Sequence, residues 1–566
     1  MKKIISILLL ILTLNSYAST LTTEAETSGW IKTGRAAETE KLCFAFAKKY
    51  PKHIQCKVLG LTPEKRKMVY LIVGNTKDPV VWVQAGIHAG EIDGKDAVFW
   101  LLKEVFEEKK IKNPFDGISM VFLPIMNLDG HERFGKWNRP NQVGPEEMGW
   151  RTTAQNYNLN RDYLKVDAPE MRMIHHLWHS MNPVLSLDLH VTNGAQFQPE
   201  VGLIILPNSS YGDSALHQAG GAYEKEMLTK MSERNHHALP YYPSFIDYEN
   251  PKSGFAKEVA PVRFAHGYWS ANNRLGMLVE THSWKDYATR VKTHHDTVLS
   301  SLELAKIHGQ EWKKISSDLD KTNLAGTLVP LIFKNTEKNS IIDFPGYKYT
   351  HERSEVSGEK VVKYFPDSPQ IWKAPFFEEL VPELTVDAPK NGYIVQPADF
   401  VWVEPILKVH KIQYLPWKNK TPEHLQVFRA NKTTFSIKSF EGHQTLNVEG
   451  NWKEETPALP NGSVFIPINQ PKGLVVLQLL EPKAQDSLVT WGFFNKAFEQ
   501  KEYMESYVAQ DVALEMLKDQ AIRKEFENKL KEDKEFAKSP DQRFHFFYKK
   551  HQSYDERFNK YPVYKF

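Results

Sequence analysis

The sequence predicts an α/β protein: a mostly parallel mixed sheet with helices on both faces, followed by a β-rich domain and a helical C-terminal segment. Three observations carry this. Apolar runs free of polar residues, led by Val80-Val81-Trp82-Val83, suit strands buried on both faces of a parallel sheet. Such runs alternate with segments of helical period as far as residue 317, as crossover connections require. Beyond that point short runs rich in Val, Ile, Phe and Thr recur between Pro, Gly and Asn clusters, the texture of an all-β sandwich.

A chain of 566 residues is too long for one core. The reading divides it into residues 1–18, an α/β domain over 19–317, a β-rich domain over 318–485 and a helical segment over 486–566. Residues 1–18 have the pattern of a cleavable signal peptide: Lys2 and Lys3, an apolar stretch from Ile4 to Leu14, then Ser16-Tyr17-Ala18. The stretch falls short of the ~20 apolar residues that span a bilayer. A periplasmic or secreted protein is expected, with no membrane span. The formal net charge of +3 drops by two when Lys2 and Lys3 leave with the leader, which argues against nucleic acid as a partner. Cys43 and Cys56 are the only cysteines. In an oxidising compartment they can pair, and neither belongs to a metal-ligand pattern.

Taken in order, an amphipathic helix is predicted from Ala36 to Lys49, strands from Met68 to Val73 and Val80 to Ala85, and a helix from Gly94 to Lys109. A strand from Ile118 to Met126 ends in Asn127-Leu128-Asp129-Gly130, read as a turn. Gly135 to Tyr157 is a polar loop of the kind that carries function. Asp167-Ala168-Pro169-Glu170 starts a helix that runs to Met181, with Asp167 as cap and Glu170 completing a capping box. Strands follow at Val184–Leu189, ending at His190, and at Gly202–Leu206. A helix spans Leu216 to Met231, and Asn235 to Asn272 is irregular. A strand from Leu275 to Val279 ends at Glu280, and a helix runs from Asp286 to Ile307. Val475 to Leu480 is read as one of the strands of the sandwich. Asn495 to Ser539 lacks Gly and Pro and reads as helix.

The stretch Val80–Asp93 organises the rest. Gly86 and Gly90 break the strand, and His88 and Glu91 sit in the turn before the helix, the carboxyl-end position where open α/β sheets bind ligands. His190 and Glu280 stand at the ends of two further buried strands. Neighbouring strands lie ~5 Å apart, so these groups can meet. Two histidines and a carboxylate, with the fourth position left to water, form the ligand set of catalytic zinc. A second carboxylate that does not bind the metal would take the water's proton. His175 and His179 lie one turn apart but are read as surface or interface histidines. In the adjacent pairs His236-His237 and His294-His295 the side chains point apart, against shared ligation.

On these residues the sequence resembles the zinc carboxypeptidases, over roughly residues 30–308. The family's His-x-x-Glu motif matches His88-Ala89-Gly90-Glu91, and its third ligand matches His190. The resemblance implies bound Zn2+, Glu280 as general base, Arg151 of Trp150-Arg151 as the stabiliser of the oxyanion, and Asn160 with Arg161, in Asn158-Leu159-Asn160-Arg161-Asp162, as the clamp on a substrate carboxylate. It implies an exported zinc metallocarboxypeptidase acting on peptides. Two departures stand out. The family's assisting tyrosine has its nearest candidate in Tyr268, at shorter spacing, and Glu280 is followed by Thr281-His282-Ser283 rather than an arginine-containing sequence. Asp188-Leu189-His190-Val191-Thr192 is similar to the aspartoacylase and succinylglutamate desuccinylase group. An N-acyl amino-acid deacylase or a murein-peptide amidase on the same core is therefore the alternative. A binding module without turnover is a third reading, against which Glu280 speaks, since a binder has no use for a base beside zinc.

Overall fold

The computed structural model describes residues 21–209, 212–418 and 424–566; the predicted leader, residues 1–18, lies outside them. The chain opens with a short helix α1 (Glu24–Thr27), then α2 (Ala36–Lys49), antiparallel strands β1 (Ile54–Leu61) and β2 (Lys67–Gly74), β3 (Val80–Ala85), α3 (Asp93–Phe106) and β4 (Ser119–Leu123). The expected turn after β4 is a short helix, α4 (Leu128–Glu132), because the Asn127 side chain caps it by accepting the Gly130 amide at 3.0 Å. Next come α5 (Pro169–Met181), β5 (Leu185–Thr192), β6 (Val201–Leu206), α6 (Ala215–Glu233), β7 (Ala238–Leu239), β8 (Phe255–Ala256), α7 (Ala265–Ala271), β9 (Leu275–His282) and α8 (Tyr287–Leu319). Asp167 does not cap α5. The cap residue is Ala168, and the buried Asp162 carboxylate accepts the amides of Asp167 and Ala168 at 3.0 and 2.8 Å. Helix α8 runs twelve residues past the expected Ile307, with Trp312 buried on its last turns.

Eight strands form one sheet in the order β1-β2-β4-β3-β5-β9-β6-β7, parallel at β4-β3, β3-β5, β5-β9 and β6-β7. Side chains alternate across it. Val81 and Val83 of β3, with Leu71 and Phe122, pack under α2, α3, α6 and α8. Val80 and Trp82, with Tyr70 and Val121, face α5 and α7. Trp82 is wholly buried, and burying such a side chain contributes ~1.5–3 kcal/mol. An unbroken apolar run is thus what a strand covered on both faces needs. The Cys43–Cys56 disulfide ties α2 to β1.

The chain after α8 does not form the expected sandwich. It supplies β10 (Leu328–Asn335), a long hairpin of β11 (Ser340–Arg353) and β12 (Lys360–Phe377), β13 (Leu380–Asp387), β14 (Gly392–Val395), α9 (Pro397–Val409), β15 (Leu415–Pro416), β16 (Leu425–Phe435), β17 (Leu446–Glu455), β18 (Val464–Pro467) and α10 (Gly473–Leu480). The Val475–Leu480 run is therefore helix, not strand: it is apolar on every side, and in so short a run periodicity cannot separate a buried helix from a buried strand. Helices α11 (Ser506–Met516), α12 (Gln520–Glu532), α13 (Lys534–Lys538) and α14 (Pro540–Tyr548) follow. The chain end then returns as β19 (Lys560–Lys565), between β14 and β16 in a six-stranded sheet. The apolar cluster on the α5 and α7 face of the first sheet is continuous with this second core.

Candidate active site and metal centre

Strands β3, β5 and β9 are neighbours and parallel, so their carboxyl ends open on one side of the sheet. His190 and Glu280 are register partners across β5 and β9, both inside their strands rather than just beyond them. Gly86, with φ +65°, makes the left-handed step that ends β3, a conformation glycine adopts freely. The turn it begins sends His88 and Glu91 toward the same point.

The structure brings His88, Glu91 and His190 together, buried, with one ligand atom from each within 4.8 Å of the others. His88 Nδ1 donates to Glu91 Oε1 at 3.0 Å and His190 Nδ1 to Glu91 Oε2 at 2.9 Å. Each ring thus turns its Nδ1 inward, and each has an oxygen at its outer nitrogen. Asp188 Oδ2 lies 2.8 Å from His190 Nε2, and Asn158 Oδ1 lies 3.3 Å from His88 Nε2. The Asn158 contact is the hydrogen bond by which an outer oxygen holds the second nitrogen of a metal-ligating histidine, whereas Asp188 faces His190 Nε2 as an ion pair without a hydrogen bond. Gln84 Nε2 in turn donates to Asp188 Oδ1 at 2.9 Å. The donor set, two imidazoles and a carboxylate, suits zinc.

Charge is balanced closely here. Burial alone would push the Glu91 carboxyl up, but Arg139, His88 and His190 outweigh it and hold it well below the usual carboxylate range. Burial lowers His88 to about 4. Burial works against the charged form of His190 too, yet Asp188, Glu91 and Glu280 hold its pKa well above that of a free imidazole. Burial, with Glu91 and Asp188 adding to it and His190 opposing, pushes Glu280 up to about 8. Its Oε2 is buried with no hydrogen-bond partner among the described residues.

A cavity of about 280 Å³ stands over these groups. Its lining includes Arg139, Arg151, Asn160, Arg161, Tyr242 and Phe264. Arg151 and the Asn160–Arg161 pair, expected on the substrate side, are thus in the same cavity as the three metal candidates and Glu280. Arg161 lies over the Phe264 ring at 4.5 Å and donates to the Asn160 carbonyl at 2.8 Å. Asn160 Oδ1 is buried without a partner among the described residues. Tyr268 is elsewhere: it is fully buried on α7, its hydroxyl 2.8 Å from His410 Nδ1 and 3.0 Å from His179 Nε2. The tyrosines on the cavity wall are Tyr241 and Tyr242, and the Tyr242 hydroxyl meets Thr192 Oγ1 at 2.8 Å. Nor are His175 and His179 surface residues, since His175 is buried and His179 partly so, in contact with Tyr268.

Sequence reasoning missed Arg139. Its Nη2 lies 2.6 Å from Glu91 Oε1. It sits in an aperiodic loop, and its only trace in the sequence is Gly90: a Cβ there would fall 2.5 Å from Arg139 Cγ, so the approach needs glycine.

Residues 39–199 match the family described as zinc carboxypeptidase. The chain carries a zinc carboxypeptidase domain. Its enzyme class is that of the metallocarboxypeptidase hydrolases. The matched span includes His88, Glu91 and His190 and stops short of Glu280. Carboxypeptidase 2 of Trichophyton rubrum is 20% identical over 470 residues, 76% of this chain and 78% of its own length. Carboxypeptidase O of Homo sapiens is 30% identical over 93 residues, 15% of this chain and 25% of its own. Among solved structures, the metallo-carboxypeptidase from Burkholderia cenocepacia covers 48% of this chain and 69% of its own, with 16% identity and a TM-score of 0.35. Among the described residues no helix of the zinc carboxypeptidase domain, or of the chain after it, is long and apolar enough to cross a membrane.

Proposed function

We propose that the protein is an exported, zinc-dependent carboxypeptidase that trims peptides from their C-terminus, with His88, Glu91 and His190 as zinc ligands. The convergence of these three groups beside Glu280, from two strand ends and one turn, carries the reading. Zinc held there would supply a water of lowered pKa and polarise the scissile carbonyl.

The chain's own residues do the rest. Glu280, buried and with no hydrogen-bond partner at Oε2 among the described residues, takes the attacking water's proton and delivers it to the leaving nitrogen. Arg151 places fixed positive charge where the oxyanion develops. Arg161, backed by Phe264, meets the terminal carboxylate with its planar fork, and Asn160 adds a side-chain amide. Asn158 keeps the His88 imidazole in the ligating orientation, and the Asp188 carboxylate places negative charge beside His190.

The later part of the chain favours trimming an end over cutting a middle. Leu380 of β13 lines the cavity. Phe197, stacked on His282 with centroids 3.8 Å apart, bridges to Gly346 of β11. Asp486 pairs with Arg263 at 2.9 Å. The chain after α8 thus supplies part of the cavity wall and packs against the segments that carry the rest.

Export rests on the leader-like residues 1–18 and is supported by the Cys43–Cys56 disulfide, a bond characteristic of oxidising compartments. The test is digestion of a peptide library and of N-acyl amino acids, with and without a chelator, read by mass spectrometry. Chelator-sensitive loss of C-terminal residues is expected, abolished in Glu280→Gln with zinc content unchanged. Release of acyl groups alone would assign the site to the deacylase reading.

A further inference from the structure

The structure holds a second histidine cluster, on the α5 and α7 face of the sheet. His175 and His179 stand one turn apart on α5, so both project from one helix face. His410 follows α9, in the region after α8. One ring nitrogen from each lies within 4.8 Å of the others.

Two observations point to a missing partner. Both ring nitrogens of His175 are buried and accept or donate nothing among the described residues. The void beside it, between Gln84, Tyr163 and Trp178, has no room for a water. An unsatisfied buried polar atom costs ~1–3 kcal/mol, and here one ring leaves two. The second observation is a fixed tautomer. His410 Nε2 donates to the Leu164 carbonyl at 2.8 Å, so its Nδ1 turns a lone pair inward, toward Tyr268 Oη at 2.8 Å. The Tyr268 oxygen also lies 3.0 Å from His179 Nε2. Three imidazoles thus bring one ring nitrogen each within 4.8 Å of the others, and a phenolic oxygen lies within 3.0 Å of two of those rings.

We infer that His175, His179 and His410, with Tyr268 Oη as fourth donor, form a second, structural metal site for a borderline divalent ion of the zinc, cobalt or nickel kind. Imidazole and oxygen donors without thiolate select such ions. Four protein donors and no access for water make a closed site, the mark of a structural role. The ion clamps α5 of the first sheet's layer to the end of α9. It gives His175 the partner it lacks, and links the zinc carboxypeptidase domain to the chain that walls its cleft.

The inference is independent of the first site, and the two can be counted apart. Full-length apoprotein is titrated with Co2+, followed by visible absorption, and metal is counted by mass spectrometry after gel filtration. Wild type should bind two ions per chain, His190→Ala one, and His190→Ala with His410→Asn none. His410→Asn and His175→Asn alone should each bind one ion, and either change made in the His190→Ala protein should remove the rise in melting temperature that Co2+ gives it. Circular dichroism of the metal-free proteins checks the fold, and His175→Asn serves if His410→Asn does not fold. A His190→Ala protein that binds no ion, or an ion it keeps after His410→Asn, overturns the inference. Should His190→Ala bind as many ions as wild type while His410→Asn loses one, the first site fails and the second stands.

Discussion

Arg139 Nη2 lies 2.6 Å from Glu91 Oε1 with its side chain almost wholly buried, whereas Arg151 Nη1 reaches only 3.7 Å from the same oxygen and stays 37% exposed. Twelve residues apart in one loop, the two guanidiniums stand differently toward one carboxylate. The first is packed against Gly90 and fixes Glu91. The second is free to swing to a substrate oxygen.

The two arginines should therefore fail in different ways. Arg139→Lys keeps the charge but loses the fork, and should weaken zinc affinity ~10–100-fold, as loss of an outer-sphere partner does. Arg151→Ala should lower kcat ~100–1,000-fold, the usual cost of one oxyanion donor, and leave zinc affinity unchanged. Competition against a chromogenic chelator, beside steady-state kinetics, separates them. Equal zinc loss in both variants would refute the division of labour.

Arg161 is expected to read the substrate's free carboxylate. Truncating one partner of a buried charge pair costs ~2–5 kcal/mol, so Arg161→Ala should lower kcat/KM by roughly 30- to 4,000-fold on free-acid peptides. Amidated peptides, poor substrates of the wild type, should be cleaved no more slowly by the variant. A variant that penalises both classes alike would place Arg161 in packing rather than recognition.

Much of this was legible because local and global signals agree. The Val80–Val83 run could only be a doubly covered strand, and Gly86 marked its end. His88 and Glu91 could be placed from that one turn. Arg139 could not, because no period or motif ties an aperiodic loop to a residue 48 positions earlier. For His175 and His179 the sequence leaves surface and interface open for a similar reason: their burial depends on α9, and nothing in the α5 sequence announces a partner more than 200 residues away. Val475–Leu480 failed otherwise. A run apolar all round says buried and leaves helix and strand undecided.

Arg290 should be the costliest single change outside the cavity. Its side chain and that of Asp93 are both fully buried, 2.9 Å apart, and its guanidinium also takes the carbonyls of Val143 and Gly144 at 2.6 and 2.8 Å. Arg290→Met strands a buried carboxylate and should destabilise by ~3–5 kcal/mol in urea unfolding. Adding Asp93→Asn should recover part of that loss. Because Val143 and Gly144 continue the loop that carries Arg139, activity should stay low in the double variant even where stability returns. Full recovery of both together would show that the loop does not depend on Arg290.

A second buried charge cluster should set how stability varies with pH. His236 lies between Glu200 and Asp296, at 2.5 and 2.8 Å, with Lys292 and Thr293 alongside. His295 lies between Asp296 and Glu104, at 2.8 and 3.0 Å, under the Trp100 ring. Burial opposes charge on both rings, but Asp296 with Glu200, and Asp296 with Glu104, outweigh it and raise both pKa values. Burial likewise opposes charge on Asp296, whose carboxyl is nevertheless held low by His236, His295 and Lys292. A histidine whose pKa is raised by folding stabilises fully below its unfolded value of ~6.5, and that contribution disappears as pH climbs through the folded value. An aspartate held low stabilises above its unfolded value of ~3.9 and loses this only in acid. The cluster should therefore stabilise most between about pH 4 and 6.5 and weaken as pH rises through the folded values of the two histidines. His236→Asn should remove ~1.5–3 kcal/mol at pH 6, the worth of hydrogen bonds to a charged group, and less once the pH has passed the folded value of His236. Urea midpoints for wild type and variant should converge as pH rises, and curves that stay parallel would rule the cluster out as the source of the slope.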